Sequence, residues 1–126
     1  MSVVIDASAL VATLLDEIGS EFVVERLRGS LLSAVNYSET LSRVVERGAQ
    51  AQAAEAIVRA YEIRVEPFTM ELARIAAELR QPTRHLGLSL GDRACLALAK
   101  RNSLLLLTAD RRLSRAEVGV DIRLIR

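Results

Sequence analysis

The sequence predicts an α/β protein in which a mainly parallel sheet is covered by helices on both faces. Short apolar runs, several of them β-branched, alternate along the chain with longer segments of helical character. Most of the short runs are apolar at every position, which is typical of strands buried on both faces of a parallel sheet. Strands that alternate with helices in this way indicate an α/β fold.

Five segments are predicted as strands. The first, residues 3–5, is β-branched and is broken by Asp6. Residues 104–107 are four leucines in succession, so we expect a buried central strand that ends at Thr108. The other predicted strands are residues 31–32, 63–65 and 122–125.

Helices are predicted between the strands from their apolar spacing and helix propensity. The segment at about residues 90–101 is apolar throughout its middle, which predicts a helix buried on most sides. Residues 81–87 contain the proline and glycine typical of an exposed loop. The other predicted helices are residues 9–15, 19–27, a helix that begins near Asn36 and continues to residue 45, 49–61 and 70–79.

Composition limits the kinds of protein that this chain can be. With 126 residues, 51% of them hydrophobic, and a formal net charge of +1, we expect a single domain over residues 1–126. Cys95 is the only cysteine and His85 the only histidine, which excludes an intrachain disulfide and a cysteine–histidine zinc site. The apolar runs are too short to cross a bilayer and the N-terminus does not resemble a signal peptide, so we expect a cytoplasmic protein.

Four acidic residues stand where the predicted strands give way to helices. Asp6 follows the first strand and Asp110 follows the leucine strand, whereas Glu39 and Asp92 are expected in the first turns of helices. Because the carboxyl ends of parallel strands meet at one edge of the sheet, we expect the four carboxylates to lie together.

Two interpretations of these acids are open. Residues 36–39 and 89–92 both have the form of a helix capping box, and the other two acids also suit helix caps. Alternatively, carboxylates that share a small site repel one another unless a cation lies between them, which favours a site of oxygen ligands for Mg²⁺ or Mn²⁺.

A carboxylate site without histidine or cysteine favours phosphodiester chemistry, in which a divalent ion orients the phosphate and activates a water. Ser8, two residues after Asp6, and Thr108, two residues before Asp110, are candidates to hold the carboxylates in place. Ser8 is equally a candidate helix cap, and Thr108 a plain strand-end residue.

Four segments of the sequence resemble the PIN domain, and their motifs are similar to those of its bacterial VapC toxin branch. They are VVIDASAL at residues 3–10, NYSE at 36–39, GLSLGDRACLALA at 87–99 and LLLLTAD at 104–110. The match covers nearly the whole chain. The resemblance implies a PIN-like three-layer α/β/α sandwich with a mainly parallel central sheet.

The resemblance also implies a function: a Mg²⁺- or Mn²⁺-dependent endoribonuclease, the toxin of a VapBC-type toxin–antitoxin pair, which cleaves RNA through a metal-activated water. It implies a cognate VapB-like antitoxin and a homodimer, for which residues 19–27 or 49–61 are candidate surfaces. The form NYSE, in place of a threonine-bearing version, leaves the role of Ser38 open. The resemblance carries the catalytic carboxylates onto Asp6, Glu39, Asp92 and Asp110, with Asp6, Asp92 and Asp110 as metal ligands.

Arginines close to the acids in sequence are candidate RNA contacts, namely Arg43, Arg93 and Arg111, with Arg84 and Arg112 also near. Other activities fit the sequence poorly. A Ser-His-Asp hydrolase would depend on His85 and has no G-x-S-x-G segment. A phosphoryl transferase with Asp6 as nucleophile lacks a D-x-D motif. A catalytically silent interaction protein, whose acids only cap helices, stays an alternative that metal titration separates.

Overall fold

The computed structural model describes residues 2–15 and 19–126, and in them five strands form one sheet. The strand order is β3-β2-β1-β4-β5, and every neighbouring pair is parallel. Val4 in β1 pairs with Leu31 on one side and with Leu106 on the other. The strands are β1 Val3–Ile5, β2 Leu31–Ser33, β3 Arg64–Glu66, β4 Leu105–Thr108 and β5 Ile122–Leu124.

Seven α-helices connect and cover these strands in the described residues. They are α1 Ala7–Leu14, α2 Ser20–Val24, α3 Ala34–Glu46, α4 Ala51–Ala60, α5 Met70–Glu78, α6 Leu90–Asn102 and α7 Arg111–Ser114. The segment predicted as an exposed loop contains a short 3₁₀ turn, Arg84–Leu86. That loop also buries Thr83, whose hydroxyl donates to the carbonyl oxygen of Leu79 at 2.7 Å.

Successive strand residues face two different cores. Val4, Leu31 and Leu106 pack in a cluster with α5, α6 and α7. Ile5 and Leu107 pack on the opposite face, where α1, α2 and α4 contribute apolar side chains. This arrangement confirms the three-layer α/β/α sandwich and explains why the strands are apolar throughout, since both faces of the sheet are covered.

Helix α6 lies in the middle of one layer, and the run Ala94 to Ala99 is buried, as its composition predicts. The free thiol of Cys95 is part of this core. Among the described residues, no helix is both long and apolar enough to cross a membrane.

The start of α3 differs from the prediction. The helix begins at Ala34 and not near Asn36, because Ser33 is its N-cap: its backbone is extended and its hydroxyl oxygen accepts from the Val35 amide at 3.2 Å. Glu39 therefore lies in the second turn, so residues 36–39 do not form a capping box. The short helix α7 was not predicted.

Candidate active site

The carboxyl ends of β2, β1 and β4 lie side by side, and a cavity of about 130 Å³ opens beside them. Strands β1 and β4 lead into Asp6 and Asp110, while α3 and α6 carry Glu39 and Asp92. The structure thus brings all four acids to one cavity. Its lining residues are Asp6, Ala7, Ser8, Asn36, Glu39, Arg43, Ser89, Asp92, Asp110 and Arg112.

Asp6 is the most enclosed of these acids, with only 5% of its surface exposed. Its Oδ1 caps α1 by accepting from the Ala9 amide at 2.8 Å and also accepts from the Ser8 hydroxyl at 2.7 Å. Its Oδ2 accepts from the Thr108 hydroxyl at 2.5 Å. Both carboxylate oxygens are therefore held by donors from β4 and the start of α1.

Burial raises the pKa of Asp6 from 3.8 to about 6, because the ionised carboxylate loses its water. The hydrogen bonds from Thr108, Ala9 and Ser8 oppose this rise, and the nearby charge of Asp92 adds to it. Desolvation is the dominant cause, so an ionised Asp6 is poorly compensated in the metal-free protein.

Ser8 and Thr108 connect the loop after β4 to Asp6. The Ala109 amide donates to Ser8 Oγ at 2.9 Å, and the Asp110 amide donates to Thr108 Oγ1 at 3.0 Å. Each hydroxyl thus accepts a hydrogen bond from a backbone amide and donates one to the Asp6 carboxylate. Ser8 and Thr108 are the two residues that the sequence suggested as candidates to hold the carboxylates in place.

Glu39 is positioned by Asn36, one turn earlier in α3. The Asn36 Nδ2 donates to Glu39 Oε1 at 2.8 Å and to the carbonyl oxygen of Gly91 at 3.1 Å. Asn36 is only 1% exposed, so its amide joins α3 to α6 inside the protein. The sequence suggested a capping role for Asn36, and the actual role differs because the helix begins earlier.

Gly91 lies directly against Glu39. A Cβ built on Gly91 would overlap both carboxylate oxygens of Glu39, so a side chain at position 91 requires the Glu39 carboxylate to move. No local sequence signal marks this requirement, because the contact joins residues on two different helices.

Asp92 and Asp110 cap helices and also line the cavity. Asp92 forms a capping box with Ser89: its Oδ2 accepts from the Ser89 amide at 2.9 Å, and its own amide donates to Ser89 Oγ at 3.2 Å. Asp110 caps α7 through Oδ1, which accepts from the Arg112 amide at 2.8 Å. The two interpretations of the acids are therefore compatible, since each cap uses one carboxylate oxygen and leaves the other.

Arg112 lies over the acids. Its Nη2 is 3.7 Å from Asp92 Oδ2 and 3.6 Å from Asp110 Oδ2, and its Nη1 donates to the Gly87 carbonyl oxygen at 3.2 Å. Arg112 was only one of several nearby arginines in the sequence, and the direction of its side chain depends on the unpredicted helix α7.

The other candidate residues have different positions. Arg43 lines the cavity and forms no ion pair with the described residues. Arg93 turns to α5, where its Nη1 donates to the Ala76 carbonyl oxygen at 3.0 Å. Arg111, Ser38 and His85 are exposed and do not line the cavity.

The donors fit Mg²⁺ or Mn²⁺ in type, because these ions prefer carboxylate oxygens. Asp92 Oδ1 and Glu39 Oε2 accept no hydrogen bond from the described residues, and the missing side chain at Gly91 makes the space for Glu39. Within the described ranges, no three aspartate, glutamate, histidine or cysteine side chains stand together as a preformed metal-binding group. The four acids surround the cavity and would have to draw together around an ion.

Known proteins share this fold. The toxin–antitoxin complex from Klebsiella pneumoniae contains a chain that matches with a TM-score of 0.79, 16% identity and coverage of 98% of each chain. Mycobacterium tuberculosis VapC20, a toxin that cleaves the sarcin–ricin loop, matches with a TM-score of 0.76 and 20% identity over 94% of this chain and 98% of its own. VapBC2 from Rickettsia felis, bound to a promoter DNA fragment, matches with a TM-score of 0.75 and 15% identity over 98% of each chain.

A search of curated protein sequences finds no significant match. The sequence model of the PIN domain, in contrast, matches residues 3–119, which is most of the chain. That match includes all four acids of the cavity and the four segments on which the resemblance rests, and only β5 among the strands lies outside it. This chain therefore belongs to the PIN domain family.

Proposed function

We propose that this protein is a metal-dependent endoribonuclease, the VapC-type toxin of a VapBC-type toxin–antitoxin pair. One observation carries the proposal: in a PIN domain chain, Asp6, Glu39, Asp92 and Asp110 line a single cavity at the carboxyl edge of the sheet. The names of the structural neighbours, toxins and toxin–antitoxin complexes, support the same assignment.

Asp6, Asp92 and Asp110 are the residues that would hold Mg²⁺ or Mn²⁺, with Glu39 as the fourth catalytic carboxylate. A divalent ion in such a site orients a phosphodiester and lowers the pKa of a bound water. Ser8 and Thr108 keep the Asp6 carboxylate in a fixed orientation by donating to its two oxygens. Asn36 does the same for Glu39 through Oε1.

The carboxylates also determine where the negative charge of RNA can lie. A polyanion approaches an acidic cavity only when cations offset the charge, so arginines at its rim favour substrate binding. We propose two arginines as RNA contacts. Arg43 lines the cavity, and Arg111 is exposed and directly follows the cavity acid Asp110 in the sequence. Arg93 is held by the Ala76 carbonyl and is assigned a structural role.

The proposed partner is a VapB-like antitoxin that covers the acidic cavity with a cationic side chain and keeps the nuclease inactive. The proposal includes a homodimer and a cytoplasmic location. Val24 in α2 is 42% exposed and Tyr61 at the end of α4 is 39% exposed, so both candidate surfaces present apolar area.

The test is cleavage of RNA by the purified, metal-stripped protein. We expect cleavage with Mg²⁺ or Mn²⁺ and none with EDTA. Asp110→Asn should abolish cleavage, because it removes a charge from the cavity at nearly constant shape. Asp121→Asn is the matched control, since Asp121 is exposed and outside the cavity. Equal activity of these two variants, or cleavage that persists in EDTA, contradicts the proposal. If cleavage depends on the metal and on Asp110, sequencing of RNA ends after induced expression identifies the substrate.

A further inference from the structure

The positively charged side chain of Arg112 lines the acidic cavity. Its guanidinium Nη2 lies 3.7 Å from Asp92 Oδ2 and 3.6 Å from Asp110 Oδ2. No other arginine or lysine forms an ion pair with a cavity acid in the described ranges. Arg43 also lines the cavity, but Arg112 is the cation that pairs with its acids in the part of the chain that the structure describes.

The oxygen that Arg112 faces on Asp110 is the one that a metal ion needs. Asp110 Oδ1 already accepts the Arg112 amide as the cap of α7, so Oδ2 is the oxygen left for an ion. The guanidinium and a divalent cation would therefore compete for the same oxygen atom. Two cations cannot share it without strong repulsion, so one of them must give way.

The side chain has a second anchor that does not involve the acids. Nη1, the other terminal nitrogen of the guanidinium, donates to the Gly87 carbonyl oxygen at 3.2 Å. Arg112 is also about half exposed, with 53% of its side-chain surface accessible, so Nη2 can leave the acids without entering the core. The ion pairs hold the guanidinium only weakly, because solvent screens them.

We propose that Arg112 is a displaceable internal counter-ion, which competes with the divalent metal for Asp110 Oδ2 and so lowers the metal affinity of the free protein. This inference rests on the metal site of the proposed function. Arg112 would then determine the metal concentration at which the site is occupied.

The test is Mn²⁺ binding to metal-stripped protein without RNA, measured from the electron paramagnetic resonance signal of free Mn²⁺. We expect Arg112→Gln to bind Mn²⁺ roughly three- to tenfold more tightly than the parent, the size expected of two partly exposed ion pairs. Arg111→Gln is the matched control. It removes the same charge at the neighbouring position, and the Arg111 side chain does not line the cavity. We expect its affinity to change by less than about twofold.

Three results would overturn the inference. They are unchanged or weaker Mn²⁺ binding by Arg112→Gln, an equal gain in Arg111→Gln, or no Mn²⁺ binding by any of the proteins. Arg112→Lys, which keeps the charge but not the planar fork, should lie between the parent and Arg112→Gln and decides the matter if the glutamine variant does not fold. RNA cleavage by the parent, measured separately, tests the proposed function, so the two failures are distinguishable.

Discussion

The hydroxyl of Thr108 donates to Oδ2 of Asp6 across 2.5 Å, and this bond joins the end of β4 to the residue that follows β1. Thr108 is fully buried and Asp6 nearly so. The hydroxyl therefore takes the place of a water that the carboxylate has lost. The most enclosed acid of the candidate active site thus depends on a residue 102 positions away in the chain.

Thr108→Val should destabilise the protein by about 1–3 kcal/mol near neutral pH, because a buried carboxylate loses a donor while the shape of the side chain is kept. Thr108→Ser retains the hydroxyl and is the control, with an expected loss below about 1 kcal/mol. Urea unfolding of the metal-free proteins measures both. Equal losses for the two variants would show that the methyl group, and not the hydrogen bond, matters at this position.

The raised pKa of Asp6 predicts that this residue contributes less to the stability of the metal-free protein as the pH rises. The folded pKa is about 6 and the ordinary value is 3.8, so between these values the folded state keeps a proton that the unfolded state has released. The extra stability is present below the unfolded pKa and is lost as the pH rises through the folded pKa. A shift of about two units corresponds to about 3 kcal/mol.

Asp6→Asn removes this titration and leaves the other groups in place. Urea unfolding in EDTA should therefore give a difference in unfolding free energy between the parent and Asp6→Asn that changes by about 2.5 kcal/mol from about pH 4 to about pH 7.5, because the parent loses stability relative to the variant as the pH rises. A difference that stays constant over this range would mean that Asp6 titrates normally.

Much of the fold could be predicted because its signals are local. Strands buried on both faces must be apolar throughout, and residues 3–5 and 104–107 show this directly. The start of α3 could not be predicted in the same way, because Ser33 and Asn36 are both good caps. Contacts with Glu39 and Gly91, which are made only in the folded protein, engage Asn36 and leave Ser33 as the cap.

The positions of the acids were predictable for a related reason: each belongs to a segment that leads away from the carboxyl edge of the sheet. The arginines were less predictable. Arg111 and Arg112 are chain neighbours, yet only Arg112 lines the cavity, because successive residues of a helix point in different directions. Arg93 follows a cavity acid directly and nevertheless contacts α5.

Gly91→Ala should displace the Glu39 carboxylate, because the new Cβ overlaps it, and should cost about 0.5–1.5 kcal/mol of stability through the lost Asn36–Glu39 hydrogen bond. In a Glu39→Ala background the clash is absent, so the same change should be neutral or stabilising by up to about 1 kcal/mol from helix propensity. A double-mutant cycle of unfolding free energies measures the coupling. If Gly91→Ala costs as much in the Glu39→Ala background, the two residues do not interact as the structure indicates.

Arg43 and Arg93 should affect different properties, although both are arginines near the acids in sequence. Arg43→Gln should weaken RNA binding and reduce the slope of log K against log salt concentration by about 0.7–1, since one phosphate contact is lost. Arg93→Gln should leave that slope unchanged and lower the unfolding free energy by about 1–2 kcal/mol, because the Ala76 carbonyl loses its charged donor. Fluorescence anisotropy of labelled RNA, in the cleavage-deficient Asp110→Asn background at several salt concentrations, gives the slopes, and urea unfolding gives the stabilities. A reduced slope for Arg93→Gln together with an unchanged slope for Arg43→Gln would place the RNA on the α5 side of α6 and away from the cavity rim.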